Sequence, residues 1–165
     1  MSLIRIVSGG QTGADRSALD YAIAHDIPHG GWVPKGRKCE DGKLAPRYHL
    51  TETPSADYPQ RTEWNICDSD GTVIFSIACV LSGGSRKTLL LAKKHGKPVL
   101  HLCRKLGVER ASQELQRFIR EHSVKVLNVA GPRASKEPEV EEWVKEVLEL
   151  ALLPETSREL SSARV

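Results

Sequence analysis

The chain has 165 residues, of which 39% are hydrophobic and 27% charged, and a formal net charge of +3. That length fits one compact domain that buries about two-thirds of its unfolded surface, so neither a disulfide nor a metal staple is required. Aromatic residues at 5% argue against a surface that stacks on bases, and so mild a positive charge suits one anion site better than a nucleic-acid track.

Residues 1–153 read as a single Rossmann-like ligand-binding domain and residues 154–165 as a frayed polar tail. Leu3 to Val7 is an apolar run closed by Ser8-Gly9-Gly10, which predicts a buried parallel strand. Ala14 to Ala24 carries Ala18, Leu19, Ala22 and Ile23 on one helical face. Strand, glycine turn and helix make the first half of a βαβ unit. Pro28 to Pro59 is rich in glycine and proline and predicts a long loop with a short strand at Tyr48 to Thr51. A loop of that length in a compact domain is usually functional or mobile.

Tyr58 to Cys67 reads as a short helix, ended by Asp68-Ser69-Asp70-Gly71, and Thr72 to Ser76 as a strand. Ser82-Gly83-Gly84-Ser85 opens a helix from Arg86 to His95, which Gly96 and Pro98 stop. Val99 to Leu102 predicts a strand, Glu109 to His122 an amphipathic helix, Val124 to Val129 a strand and Val140 to Leu152 a last amphipathic helix. Strands alternating with helices give the expected class: α/β, a Rossmann-like open, mostly parallel sheet with helices on both faces. No charged segment followed by an apolar one opens the chain, and the longest apolar run, near Val73 to Leu81, is too short to cross a bilayer. A cytoplasmic protein without membrane contact is expected.

The candidate binding residues lie in turns between strands and helices. They are Gly9, Gly10, Gln11, Thr12, Gly13 and Asp15 in the first turn, and Ser82, Gly83, Gly84, Ser85 and Thr88 in the second. Asp70, Gly71 and Thr72, with Arg133 after Asn128-Val129-Ala130-Gly131-Pro132, complete the turns, and Lys35 and Arg37 supply cations from the long loop. Turns that follow strands of a parallel sheet share one edge, where helix N-termini present unpaired N–H groups. All of these residues, Asp70-Gly71-Thr72 included, are expected to converge there on an anion. Neither glycine stretch is a G-x-G-x-x-G or a P-loop. Arg133, beside Pro132, is the best placed for a bidentate contact.

No Ser–His–Asp set or metal triad can be assembled from the six histidines, His25, His29, His49, His95, His101 and His122, so no catalytic residue and no protein-bound metal site is predicted. Cys67, Cys79 and Cys103 lie in apolar stretches and predict buried reduced thiols, whereas Cys39, in a polar loop, is the one expected to react.

Taken together, Ser8-Gly9-Gly10-Gln11-Thr12-Gly13-Ala14-Asp15, Gly31-Trp32-Val33-Pro34-Lys35-Gly36-Arg37, Arg61-Thr62, Ser69-Asp70-Gly71-Thr72, Ser82-Gly83-Gly84 and Asn128 to Arg133 resemble the molybdenum cofactor carrier family. That family is a circularly permuted branch of the SLOG superfamily, and the resemblance runs from about Ile4 to Val147. It implies a Rossmann-like fold, a homo-oligomer (dimer or tetramer) and a small phosphate-bearing ligand, with the molybdenum cofactor (molybdopterin) named first and a nucleotide as the alternative. A related branch cleaves nucleoside monophosphates with a P-G-G-x-G-T-x-x-E stretch. Leu81 to Thr88 has no glutamate at the matching place, which speaks against that cleavage. A carrier is the first expectation, with a nucleotide-processing hydrolase or a sensor of nucleotide-derived signals as the alternatives.

Overall fold

The computed structural model describes residues 3–153. The expected tail at 154–165 lies outside the described residues. In chain order the elements are β1 (Arg5–Val7), α1 (Ala14–Ala24), β2 (His29–Gly30), β3 (Trp32–Val33), β4 (Lys38–Cys39), β5 (Gly42–Lys43), β6 (Thr51–Glu52) and α2 (Tyr58–Cys67). They continue as β7 (Gly71–Ser76), α3 (Gly83–Lys94), β8 (Val99–Cys103), α4 (Val108–Glu121), β9 (Val126–Ala130) and α5 (Val140–Leu152). The main sheet is five-stranded, in the order β2-β1-β9-β7-β8, and every pairing within it is parallel. α1, α5 and α4 pack together on one face, while α2 and α3 pack together on the other. The α/β Rossmann-like class is therefore present.

β9 is inserted between β1 and β7 although it comes last in the chain. Its neighbours run outward in opposite directions, β1 to β2 and β7 to β8, so a crevice opens beyond the C-terminal ends of β1, β9 and β7. Such a switch point is where ligands of open α/β sheets sit. The core fills the α1–α4–α5 face, with Ile6, Phe75, Leu127, Trp143 and Leu148 fully buried. Nε1 of Trp143 donates to the carbonyl of Leu102 at 3.1 Å, which satisfies its one polar atom and docks α5 on β8.

Three expectations change. The 28–59 segment is an ordered excursion with its own small core of Leu19, Val33, Cys39, Leu44, Tyr48 and Leu50. Its first two residues of strand, β2, join the main sheet, and β3 pairs with β6 at Thr51–Glu52 rather than at Tyr48 to Thr51. Strands this short leave no periodic signal. α3 begins at Gly83, ahead of the expected Arg86, since its first turn is made of the same Gly-Gly-Ser that reads as a loop. The thiols are reversed: Cys39 is buried while Cys67 and Cys79 are exposed and Cys103 is half-buried. Cys39 is covered because the excursion folds over it, and burial pushes its thiol up and out of the reactive range. Cys79 lies beyond the end of β7, where an apolar run continues after the strand has left the core.

Candidate functional site

A cleft of about 530 Å³ occupies the switch point. Its floor is Ser76 and the β9 segment from Asn128 to Ala130, and one wall is the start of α3 with Ser82, Gly84, Ser85, Lys87 and Thr88. The opposite wall is Gly9 and Gln11 from the β1–α1 turn with Asp15 from the first turn of α1, and Tyr58 and Arg61 of α2 close the side. Arg133, Lys136 and Glu137, just after β9, form the rim.

At the start of α3 no side chain caps the helix, although Ser82 stands at the N-cap with extended backbone. Its first-turn N–H groups lack intrahelical partners, as in any helix start, and the dipole leaves positive potential there. Lys136 reaches the same place, since a Cβ on Gly83 would lie 2.7 Å from its Nζ. Among the described residues neither Lys87 nor Lys136 forms an ion pair.

On the β1 side, Arg61 and Asp15 form a buried ion pair at 3.1 Å, and Asp15 Oδ2 also accepts from the N–H of Gln11 at 3.3 Å. Burial pushes the Asp15 carboxyl up from its ordinary value, while the Arg61 guanidinium and the Gln11 N–H pull it back. The guanidinium packs against Gly9, where a Cβ would sit 1.6 Å from Nη1. Only a residue without Cβ admits it there. Gln11 is buried; its Oε1 accepts from the N–H of Thr12 at 3.1 Å and of Glu40 at 2.8 Å. Its Nε2 has no partner, and neither has Nε of Arg61. At the rim, the guanidinium carbons of Arg61 and Arg133 stand 5.2 and 5.4 Å from the ring centre of Tyr58, which gathers the two cations on one aromatic.

Of the residues expected from sequence, Gly9, Gln11, Asp15, Ser82, Gly84, Ser85, Thr88 and Arg133 line this cleft, and Gly83 stands between two that do. The others lie elsewhere. Gly10, at φ +77, turns the chain against Leu44 and Leu50, and Gly13, at φ +83, meets the Pro132 carbonyl closely. Thr12 donates to the Glu40 carboxylate and accepts from the N–H of Ala134. Arg37 points away from the cleft and donates to the carbonyls of Leu44, Ala45, Tyr48 and Leu50, which holds the excursion together. Lys35 is exposed outside the cleft. Asp70, Gly71 and Thr72 stand at the N-terminal end of β7, the opposite edge of the sheet, where Asp70 accepts from the N–H groups of Lys125 and Val126. The expected single edge fails for these three because they precede their strand instead of following it. Tyr58, Lys136 and Glu137 enter the cleft without any local signal in the chain, and Asn128 enters it from the turn that leads to Arg133. Glu137 accepts from the N–H groups of Ile77 and Ala78 at 3.0 and 2.9 Å and so steadies the wall after β7.

An all-parallel sheet with a donor-rich cleft at its switch point is the architecture of a Rossmann-like ligand-binding protein. The model of the circularly permutated YpsA SLOG family matches residues 6–152, and the chain belongs to that family. It is also similar to the crystal structure of a putative molybdenum carrier protein from Syntrophus aciditrophicus SB, with 47% identity and a TM-score of 0.90 over 92% of this chain and 96% of that one. No curated protein matches the chain.

Proposed function

We propose that the domain of residues 1–153 binds and carries a phosphorylated, ring-bearing small molecule in this cleft and does not turn it over. The observation that carries the reading is the buried Nε2 of Gln11, a donor without a partner on the cleft wall. An unmet buried donor costs about 1–3 kcal/mol, which a ligand acceptor recovers. Opposite it, the uncapped start of α3 with Lys87, Lys136 and Arg133 suits a phosphate. A volume near 530 Å³ falls in the usual range for small-molecule sites.

The name of the Syntrophus protein puts a molybdenum compound first, and the molybdenum cofactor, as cargo, fits these groups. Its terminal phosphate would be held by α3, Arg133 and Lys136, and its pterin by Gln11 and Asn128. A nucleotide derivative is the alternative cargo, held by the same groups. One observation favours a hydrolase: Asp15, a carboxyl raised by burial, lines the cleft. Its Oδ2 is already engaged by Arg61 and the Gln11 N–H, which supports a positioning role. The proposal includes a homo-oligomer, which the family resemblance implies, and light scattering tests it.

Native mass spectrometry of the purified protein, followed by release and identification of any bound molecule, tests the cargo. Thermal shift with pyrophosphate, a nucleoside monophosphate and a phosphopterin tests the site. A ligand at a hundred times its Kd adds about 2.7 kcal/mol of stability. No co-purified ligand and no shift with any of the three would overturn the reading. Release of a base or phosphate from the nucleotide would replace the carrier with an enzyme.

A further inference from the structure

Cys79 and Cys103 stand outside the site just described. Their sulfurs are 2.7 Å apart, although neither position nor spacing in the chain suggests a pair. The fold brings them together in two steps. Cys103 is the last residue of β8 and the register partner of Ser76, the last residue of β7. Beyond Ser76 the chain bends back, held by the Ser76 hydroxyl donating to the Ala78 carbonyl at 2.5 Å. Cys79 thereby lands beside the end of the neighbouring strand. Cys79 is exposed and Cys103 half-buried, so reagents in solvent reach the pair. The hydrogen bond with Cys103 and desolvation leave the Cys79 thiol above its ordinary value, and against them the charge of Lys105, exposed and close behind Cys103, favours a Cys79 thiolate.

We propose that Cys79 and Cys103 form a redox-active dithiol that closes to an intramolecular disulfide by exchange with a small-molecule disulfide of the glutathione type. One cysteine thiolate attacks the reagent's S–S bond and expels one thiolate. The other then attacks the protein sulfur of the mixed disulfide and expels the second. The reagent's bond breaks and the Cys79–Cys103 bond forms. Two electrons pass from the dithiol to the reagent, and the two protons end on the two released thiols. A covalent S–S bond spans about 2.05 Å, so closure moves the sulfurs by less than about 1 Å.

Closure has a consequence for the cleft, which rests on the anion-binding reading above. Ala78, Val80, Leu81 and Ser82 flank Cys79 and line the cleft. Glu137 anchors this wall at Ile77 and Ala78, and among the described residues no hydrogen bond between backbone groups holds Cys79, Val80 or Leu81 before α3 starts. A disulfide adds an anchor to the sheet edge in nearly the arrangement already present. It therefore preorganises the start of α3 and tightens anion binding.

The test uses the full chain carrying Cys67→Ser, which removes the other exposed thiol, in buffers of varied reduced-to-oxidised glutathione ratio. Intact mass after alkylation is expected to show loss of two hydrogens, with peptide mapping to Cys79–Cys103. Cys79→Ser and Cys103→Ser are each expected to trap a glutathione adduct on the remaining cysteine. Stable mixed adducts on the parent chain, disulfides between chains, or unchanged mass at high oxidised glutathione would overturn the dithiol. Titration with pyrophosphate is expected to give a Kd at least threefold lower for the disulfide form. Equal Kd in both forms overturns the coupling to the cleft, whereas absence of pyrophosphate binding in both counts against the carrier reading and leaves the dithiol judged by mass alone.

Discussion

A methyl group on Gly9 would sit 1.6 Å from Nη1 of Arg61, so one hydrogen in place of a Cβ decides whether the Asp15–Arg61 pair can form. Arg61→Met leaves Asp15 buried without its cation and is expected to cost about 3–5 kcal/mol at neutral pH. The loss has a defined pH dependence. Asp15 already titrates above its ordinary value of 3.8 in the fold, and removing Arg61 raises it further. The folded variant then holds a proton that the unfolded chain has given up. Its stability relative to the parent is best below 3.8 and falls as pH rises. Denaturant melts at pH 3.5 and pH 7 check this, and an equal loss at both would show that Arg61 acts through packing alone. Glu40 runs the other way. Ser135 and then Thr12 donate to its carboxylate and hold it below its ordinary value of 4.5. Its contribution is present above 4.5 and lost as pH falls through the folded value. Glu40→Gln is therefore expected to lower stability by about 1 kcal/mol at pH 7 and to match the parent at low pH, read by thermal melts across the range.

Helix α3 separates two roles that a helix start can play. An acidic side chain in the first turn stabilises a helix, while the same charge repels an anion there. A Cβ on Gly84 meets no atom within 4 Å, so Gly84→Asp adds its charge without a clash. The expected result is an unchanged or slightly higher melting temperature together with at least a tenfold weaker affinity for pyrophosphate, by calorimetry. Unchanged affinity would move the anion away from α3. The excursion between β2 and α2 makes a parallel point about Arg37. Its candidate role as an anion contact came from its charge and its place in a glycine-rich loop. In the fold its guanidinium serves four backbone carbonyls of the loop, of which those of Ala45 and Tyr48 also accept from the N–H groups of Tyr48 and Leu50.

Over the whole molecule, stability and site meet in the late insertion of β9 between β1 and β7. The segment from β9 to α5 completes the sheet, supplies Asn128, Arg133 and Lys136 to the cleft, and covers the core face with α5. Trp143 anchors that helix, fully buried and bonded to the Leu102 carbonyl. Trp143→Ala is expected to destabilise the protein by about 3–5 kcal/mol and to lower ligand affinity only as far as unfolding does, which melts with and without pyrophosphate would separate. No helix among the described residues is long and apolar enough to cross a membrane.

Periodicity and turn chemistry act over a few residues, and that is the range in which the sequence spoke for itself. The bounds of α1, α2 and α5, the strands β7, β8 and β9 within a residue or two, the α/β class and the glycine turns after β1 and before α3 could all be read from the chain. Which end of a strand a motif occupies matters just as much, and Asp70-Gly71-Thr72, a turn before its strand, went to the wrong edge for want of it. The two-residue strands of the excursion, the burial of Cys39 and the meeting of Cys79 with Cys103 depend on contacts between residues far apart in the chain. So do the gathering of Arg61 and Arg133 on Tyr58 and the placing of Lys136 against Gly83. These were settled only by the order in which parallel strands are laid side by side, because strand order is chosen by the packing of whole helices over the sheet and leaves no trace in any local stretch of residues.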